Sequence, residues 1–108
     1  MDEQAYRSLV DATLERIDAA FGDVDPDLAE SNISQGALTV LFPGGTKAIV
    51  SAQPPVRQIW LAYTDQAWHF DLDPATGRWM DDRGKGQDLF VVLSGIAKDA
   101  AGVEVTIS

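Results

Sequence analysis

The side chains in this sequence that are best suited to chemistry are carboxylates, and most of them lie near the start of the chain. Residues 1–30 contain nine acidic and two basic residues, a net charge of −7, whereas all 108 residues together carry −9. Carboxylate oxygens suit hard cations such as iron, manganese, magnesium and calcium better than copper or zinc. A surface of this charge also attracts basic proteins. This segment therefore predicts a surface that binds a cation, a basic protein, or both.

Three of the carboxylates are spaced so that they share one face of a helix. Residues 4–21 repeat apolar or small side chains at every third or fourth position: Tyr6, Leu9, Val10, Thr13, Leu14, Ile17, Ala20 and Phe21. At about 100° per residue, Asp11, Glu15 and Asp18 fall in a narrow sector away from this apolar stripe. Like charges at this spacing destabilise a helix by about 0.2–0.5 kcal/mol per pair, which favours a binding role for the cluster. Gly22 is expected to end the helix.

Three further carboxylates follow at every second position: Asp23, Asp25 and Asp27. Alternating acids are typical of calcium loops, but the helix–loop–helix type requires glycine at position six and glutamate at position twelve. Those two positions are occupied here by Leu28 and Ser34. The sequence therefore excludes that calcium motif and is compatible with a looser, exposed cation site.

Other chemistry has little support in the sequence. The chain contains no cysteine, which excludes a disulfide framework, a thiolate-ligated cluster and a cysteine nucleophile. Its one histidine, His69, belongs to no hydrolase or di-iron motif, so we expect no enzyme. The acidic charge disfavours nucleic acid, and no apolar run reaches the roughly 18 residues of a membrane span. Because the N-terminus is acidic, unlike a secretory or transit peptide, we expect a cytoplasmic protein.

After the acidic segment, the helical spacing of apolar residues gives way to short strand-like runs separated by turn residues, and these strands position the acidic residues. Strands are predicted at 29–34, 37–42, 46–52, 57–63, 67–72 and 77–81. The connections are too short for crossover helices, so the sheet must be antiparallel. A second helix is predicted from about Gly86 to Ala100, with Gly102 at its end. The alternating residues of 103–107 form either a last strand or an extended segment that covers the helices.

The order helix, six strands, helix predicts one α+β domain over residues 1–108. We expect both helices to pack on one face of the sheet. The opposite face of the sheet is then open to water.

This open face makes the fourth predicted strand notable. Alternation places three of its residues on the core side: Ile59, Leu61 and Tyr63. Gln58 and Trp60 then lie on the open face, and an outward tryptophan is typical of a binding surface. If the alternation is shifted by one residue (the inverted phase), Trp60 is buried instead. Trp68 and Trp79 are predicted to be core or half-core residues.

These features together resemble the bacterial frataxin family over almost the whole chain. The most specific stretch runs from Gln53 to Ala62 and is similar to the family signature Gln-x-Pro-x-x-Gln-x-Trp-Leu. Supporting stretches are residues 36–40, residues 68–72, and Trp79 with Asp82 and Gly84 before the last helix. The acidic first helix is the other hallmark of the family.

The resemblance implies two helices on a twisted antiparallel sheet, and a role in iron handling and iron–sulfur cluster assembly. It implies that iron, as Fe²⁺ or Fe³⁺, binds weakly along an acidic ridge. Carried over by position, this acidic ridge is Glu3, Asp11, Glu15, Asp18, Asp23, Asp25, Asp27 and Glu30. Family members also dock on the cysteine desulfurase and its scaffold protein. The scaffold-facing surface, which we name the sheet patch, would include Gln53, Gln58 and Trp60.

Two positions depart from the family pattern. Arg7 stands where many bacterial members have a metal-binding histidine, so we expect weaker cation binding and pairing of Arg7 with Asp11. Ser51 replaces the family's usual asparagine before the Gln-x-Pro stretch, and its hydroxyl, on a shorter side chain, is still able to form a hydrogen bond. The alternative function is a metal-independent acidic adaptor that binds a basic protein. An enzyme is the third option, and we expect any ferroxidase activity, as proposed for family members, to be incidental. A monomer is expected, with iron-driven assembly as the alternative, and His69 is expected to have no functional role.

Overall fold

The first helix forms where the apolar stripe predicts it. The computed structural model describes all 108 residues, and helix α1 spans Glu3–Gly22. The Asp2 carboxylate caps this helix, because its Oδ1 accepts a hydrogen bond of 2.7 Å from the Ala5 backbone N–H. Five residues of the stripe are at most 2% exposed: Tyr6, Val10, Leu14, Ile17 and Phe21. Leu9 is 40% exposed, so the predicted stripe is too wide at this position.

Six strands follow and form one antiparallel sheet in the order β1-β2-β3-β4-β5-β6. Their bounds are Glu30–Ser34 (β1), Ala37–Leu41 (β2), Lys47–Gln53 (β3), Gln58–Tyr63 (β4), Gln66–Asp73 (β5) and Arg78–Asp81 (β6). The predicted sheet is confirmed, and every strand end lies within one residue of its predicted position. β4 begins at Gln58 because Arg57 has a left-handed backbone with φ of 55°.

The second helix begins three residues later than predicted. Helix α2 spans Leu89–Ala101, whereas the prediction placed its start near Gly86. The Asp81 carboxylate holds the intervening segment as a loop by accepting hydrogen bonds from three backbone N–H groups, those of Arg83, Lys85 and Gln87. Gly86 has a φ of 69°, which no helical residue adopts. These contacts of the Asp81 side chain decide the start of α2.

The last residues of the chain were predicted to form either a strand or an extended segment, and the structure shows the extended segment. Gly102 has a φ of 65° and ends α2 as predicted. Residues 103–107 contain no strand, but Val105 and Ile107 are buried in the core. Arg16 of α1 donates from Nε to the Ser108 backbone oxygen at 2.8 Å. The tail is therefore an extended segment packed against the helices.

The core lies between the helices and one face of the sheet. Helix α1 packs along β1, β2 and β3, and α2 packs against β6. Trp79 is buried at 4% exposure, and its Nε1 donates to Thr13 Oγ1 of α1 at 3.1 Å. Trp68 is partly buried against the same cluster, so both tryptophans lie where they were predicted. Neither helix has the length and apolar character needed to cross a membrane.

Candidate functional site

The acidic ridge starts on the exposed face of α1. Asp11 and Glu15 are exposed, as their helical spacing requires, and neither takes part in an ion pair. Asp18 is half-buried, because its Oδ1 accepts a hydrogen bond of 2.5 Å from Ser31 Oγ. Ser31 lies in β1 beside the exposed Glu30. The Asp18–Ser31 contact therefore joins the acidic face of α1 to the edge of the sheet.

The loop between α1 and β1 continues the ridge. Asp23, Asp25 and Asp27 are all exposed. Asp25 Oδ1 accepts a hydrogen bond of 2.9 Å from the Asp27 backbone N–H, which is a local turn that orders the loop. The carboxylates of this loop and of α1 thus belong to one continuous stretch of chain that runs onto the edge strand.

Basic residues neutralise very little of this ridge. Arg7 forms an ion pair with Glu3, with Nε 3.1 Å from Oε2, and the expected pair with Asp11 was wrong. Helical side chains point back toward the N-terminus, and an acid four residues before a base is the better order, so Arg7 reaches Glu3. Arg16 contacts the tail, and its Cζ lies 5.0 Å from the ring centroid of Phe90. Seven of the eight ridge carboxylates therefore have no basic partner.

The ridge carboxylates do not converge on one point. No three acidic or histidine side chains lie close enough together to hold a metal ion between them. The ridge therefore offers single carboxylates and a summed negative potential rather than a closed cage. Such an arrangement attracts cations and basic surfaces weakly, exchangeably and with strong salt dependence.

The sheet patch lies on the other face of the sheet, as the alternation predicted. Ile59, Leu61 and Tyr63 are buried, whereas Gln58 and Trp60 are half-buried on the opposite side. The inverted phase, in which Trp60 would be a core residue, is therefore wrong. Trp60 presents an aromatic surface among polar side chains, which is the composition of a protein-binding site.

A polar network surrounds Trp60. The indole Nε1 donates to Gln58 Oε1 at 2.8 Å. Gln58 Nε2 in turn donates to Asp71 Oδ1 and to Asp82 Oδ2, each at 3.1 Å. His69 stacks on Trp60 with ring centroids 4.3 Å apart and an interplanar angle of 18°. The patch is therefore interlocked side chain to side chain, unlike the ridge.

Gln53, the third predicted patch residue, lies at the end of β3 and is opposite Gln58 in the register. The segment between the two residues is tied to α1 by Tyr6, whose hydroxyl donates to the Gln58 backbone oxygen at 2.5 Å and accepts from the Gln53 N–H at 2.8 Å. Burial raises the pKa of Tyr6 above its usual range, opposed by the Gln53 hydrogen bond and by the charges of Arg7 and Arg57. Gln53 Nε2 also reaches Ser51 Oγ at 3.5 Å, so the hydroxyl there retains a hydrogen bond.

The loop after β6 carries Asp82 to the edge of the patch. The Asp82 backbone N–H donates to the His69 carbonyl oxygen at 2.9 Å. The preceding Asp81 organises this loop, and the hydrogen bond from the Gln87 backbone N–H is the main cause of its lowered pKa. The position of Asp82 is thus fixed by its own backbone hydrogen bond to His69 and by the hydrogen bonds that Asp81 accepts from the loop.

Asp71 and the contacts of His69 were not anticipated from the sequence. Both side chains alternate with the buried Phe70, which places them on the open face of β5. The register pairs Trp60 with His69 and Gln58 with Asp71 directly across the strands. A short turn at residues 64–65 fixes that register. This turn was the sequence signal from which the pairing of Trp60 with His69 and of Gln58 with Asp71 could have been predicted.

Comparison with known proteins agrees with this geometry. A sequence model of the frataxin-like domain matches residues 1–103. The chain is 42% identical over 104 residues to the iron-sulfur cluster assembly protein CyaY of Pseudomonas fluorescens (strain Pf0-1), covering 96% of this chain and 93% of that protein. It is 38% identical over 105 residues to the protein of the same name from Pseudomonas aeruginosa, covering 97% of this chain and 95% of that protein.

Solved structures share the fold. Frataxin from Psychromonas ingrahamii has a TM-score of 0.91 at 26% identity, covering 100% of this chain and 99% of that chain. Trimeric frataxin from the yeast Saccharomyces cerevisiae, complexed with ferrous iron, has a TM-score of 0.63 at 27% identity, covering 95% and 88%. With the sequence match spanning nearly all of its length and the fold shared from end to end, this chain belongs to the frataxin family.

Proposed function

We propose that this protein binds iron weakly along the acidic ridge and regulates iron–sulfur cluster assembly by docking on a cysteine desulfurase and its scaffold protein. The observation that carries the proposal is that seven of the eight ridge carboxylates lack a basic partner. The names of its bacterial relatives support the assembly role, and the yeast frataxin complexed with ferrous iron supports iron as the cation.

The mechanism follows from the two surfaces. The negative potential of the ridge draws Fe²⁺ or Fe³⁺ to exposed carboxylates, and the same potential steers the protein onto a basic area of the desulfurase. The sheet patch of Gln53, Gln58 and Trp60 then contacts the scaffold protein. Iron on the ridge lowers the charge that the desulfurase meets, so the cation and the partner compete. The proposed role is binding and regulation, and we assign no catalytic step to the ridge.

Iron titration under anaerobic conditions tests the metal part of the proposal. Fe²⁺ is paramagnetic, so it should broaden the backbone amide signals of residues 3–30 and leave those of α2 sharp. Mg²⁺ serves as the diamagnetic control and should shift the same signals without broadening them. Uniform broadening over the whole chain, or none, would contradict iron binding at the ridge.

The alternative is a metal-independent acidic adaptor that only binds a basic protein. The absence of three converging metal ligands is the observation that favours it. Pull-down with purified desulfurase and scaffold, with Fe²⁺ and then with chelator, separates the two functions. The proposed function predicts that iron changes the amount of desulfurase retained, whereas the adaptor predicts the same retention in both conditions.

The oligomeric state is part of the same proposal. We propose a monomer that is able to assemble when iron is added, because the yeast relative is described as trimeric. Light scattering of the protein with and without Fe²⁺ measures this directly. A mass that stays monomeric at saturating iron would exclude iron-driven assembly.

A further inference from the structure

We infer that His69 is a positioning residue of the sheet patch, which holds the Trp60 indole in the orientation presented to the partner. The inference rests on the proposed docking role of Trp60. It assigns a role to the one histidine of the chain, which lies away from the ridge.

The first observation is the stacking of the two rings. Trp60 and His69 are direct cross-strand partners on β4 and β5. Their ring centroids are 4.3 Å apart and their planes differ by 18°, so the imidazole covers one face of the indole. On its other side Trp60 pairs with Ser51, whose small side chain leaves room for a partner.

The second observation is that the contacts form a closed ring of four side chains. Trp60 Nε1 donates to Gln58 Oε1, and Gln58 Nε2 donates to Asp82 Oδ2. Asp82 Oδ2 lies 3.6 Å from His69 Nδ1, and the imidazole stacks back on Trp60. Each side chain is held by two neighbours, so the indole has one defined orientation on a surface where tryptophan would otherwise be free to rotate. A variant without His69 loses two of these contacts, the stacking on Trp60 and the contact with Asp82.

NMR of the free protein tests the positioning role without any partner. In H69A the Trp60 indole Nε1–H signal should shift and broaden, because the ring stacked on the indole is lost. In H69F, which keeps an aromatic ring at this position, the same signal should stay sharp. An indole signal that H69A leaves unchanged, in a variant whose other amide signals are also unchanged, would overturn the inference.

Binding to the purified desulfurase–scaffold complex provides the second measurement. H69A should weaken binding about 2- to 10-fold, the range that an aromatic pair contributes, and H69F should recover most of the affinity. The exposed Gln66→Ala in the same strand is the matched control and should bind like the parent protein. Equal affinity of H69A and the parent would overturn the inference while leaving the proposed function in place. If the parent protein itself did not bind, the proposed function would fail, and the indole signal of H69A in the free protein would still decide the role of His69.

Discussion

The acidic ridge and the sheet patch are built in two different ways for the binding roles proposed for them. The ridge is a set of mostly exposed carboxylates with one ion pair, and no three of them converge on one point. The patch is interlocked, because Trp60, Gln58, His69 and Asp82 are joined by hydrogen bonds and one stacked pair. A surface of the first kind acts through its summed field and tolerates the loss of one member. A surface of the second kind depends on geometry, so one substitution disturbs all of it.

The largest expected effect separates the outward tryptophan from the buried one. Trp79→Ala should lower the free energy of unfolding by about 3–5 kcal/mol, because Trp79 is a core residue. Trp60→Ala should lower it by about 1 kcal/mol or less yet weaken docking about 30-fold, as the loss of a binding hot spot does. Chemical denaturation and titration with the desulfurase–scaffold complex measure the two quantities. If Trp60→Ala lost as much stability as Trp79→Ala, Trp60 would be a structural residue and the distinction between the two tryptophans would fail.

Charge reversal on the ridge should have the next largest effect. Asp11→Lys with Glu15→Lys changes the net charge by four without removing any ion pair. We expect the association rate with the desulfurase to fall about tenfold or more at low salt, and the difference to shrink as salt is added. Stopped-flow fluorescence measures the rate.

The control for this charge reversal is Asp65→Lys with Glu104→Lys, which makes the same change of charge outside the ridge and removes only the exposed Lys98–Glu104 ion pair, whose contribution to stability is small. It should slow association much less than the ridge variant does. Equal slowing by both pairs would show that only the net charge matters and that the ridge is not a specific surface.

A smaller effect is expected at the hydroxyl that joins α1 to the patch. Tyr6→Phe leaves two backbone groups without their partner and should cost about 1–3 kcal/mol of stability. Tyr63→Phe removes one hydrogen bond to the exposed Asp99 and should cost about 0.5–1.5 kcal/mol. Tyr63 donates to Asp99 Oδ2 at 3.0 Å, away from the patch. Only Tyr6→Phe should therefore shift the amide signals of residues 53–58 and weaken docking. If both variants lost the same docking affinity, the loss would be a result of lower stability alone and not of the link between Tyr6 and the patch.

The smallest effect is expected in acid, at the loop that carries Asp82. The pKa of Asp81 is lowered in the folded protein, so its contribution to stability is complete above the ordinary range of a carboxyl and is lost as the pH falls. Asp81→Asn should therefore be less stable than the parent at pH 5–7, and the difference should shrink below about pH 4. Urea denaturation at a series of pH values measures it. A difference that stays constant down to pH 2 would exclude Asp81 as the acid-sensitive group.

Local patterns predicted most of the fold. Helical spacing located α1 and its exposed carboxylates, and strand alternation placed Trp60 on the open face, because both depend only on neighbours along the chain. The start of α2 was misplaced, since the apolar periodicity does not show that the Asp81 carboxylate binds the backbone N–H groups of residues 83–87 and holds them as a loop. The pairing of Arg7 was also wrong, because helical geometry favours the acid four residues before a base over the acid four residues after it.

The candidate site was predicted only in part. The charge of residues 1–30 located the carboxylates proposed as the ridge without any knowledge of packing, and their role in binding stays a prediction. The network around Trp60 depends on the register between β4 and β5 and on a loop that returns from β6, so Asp71 and the contacts of His69 were missed. The link through Tyr6 depends on where α1 crosses the sheet, which the apolar stripe alone does not determine.

That link has a consequence for affinity. Because a single buried hydroxyl bonds to both ends of the turn between β3 and β4, the helix bearing the ridge and the strands bearing the patch are held at a fixed separation before any partner arrives. The entropy of arranging the two surfaces is therefore lost during folding rather than on association. A partner that spans both surfaces meets a preorganised template, and one whose own contact points are differently spaced gains from only one of them.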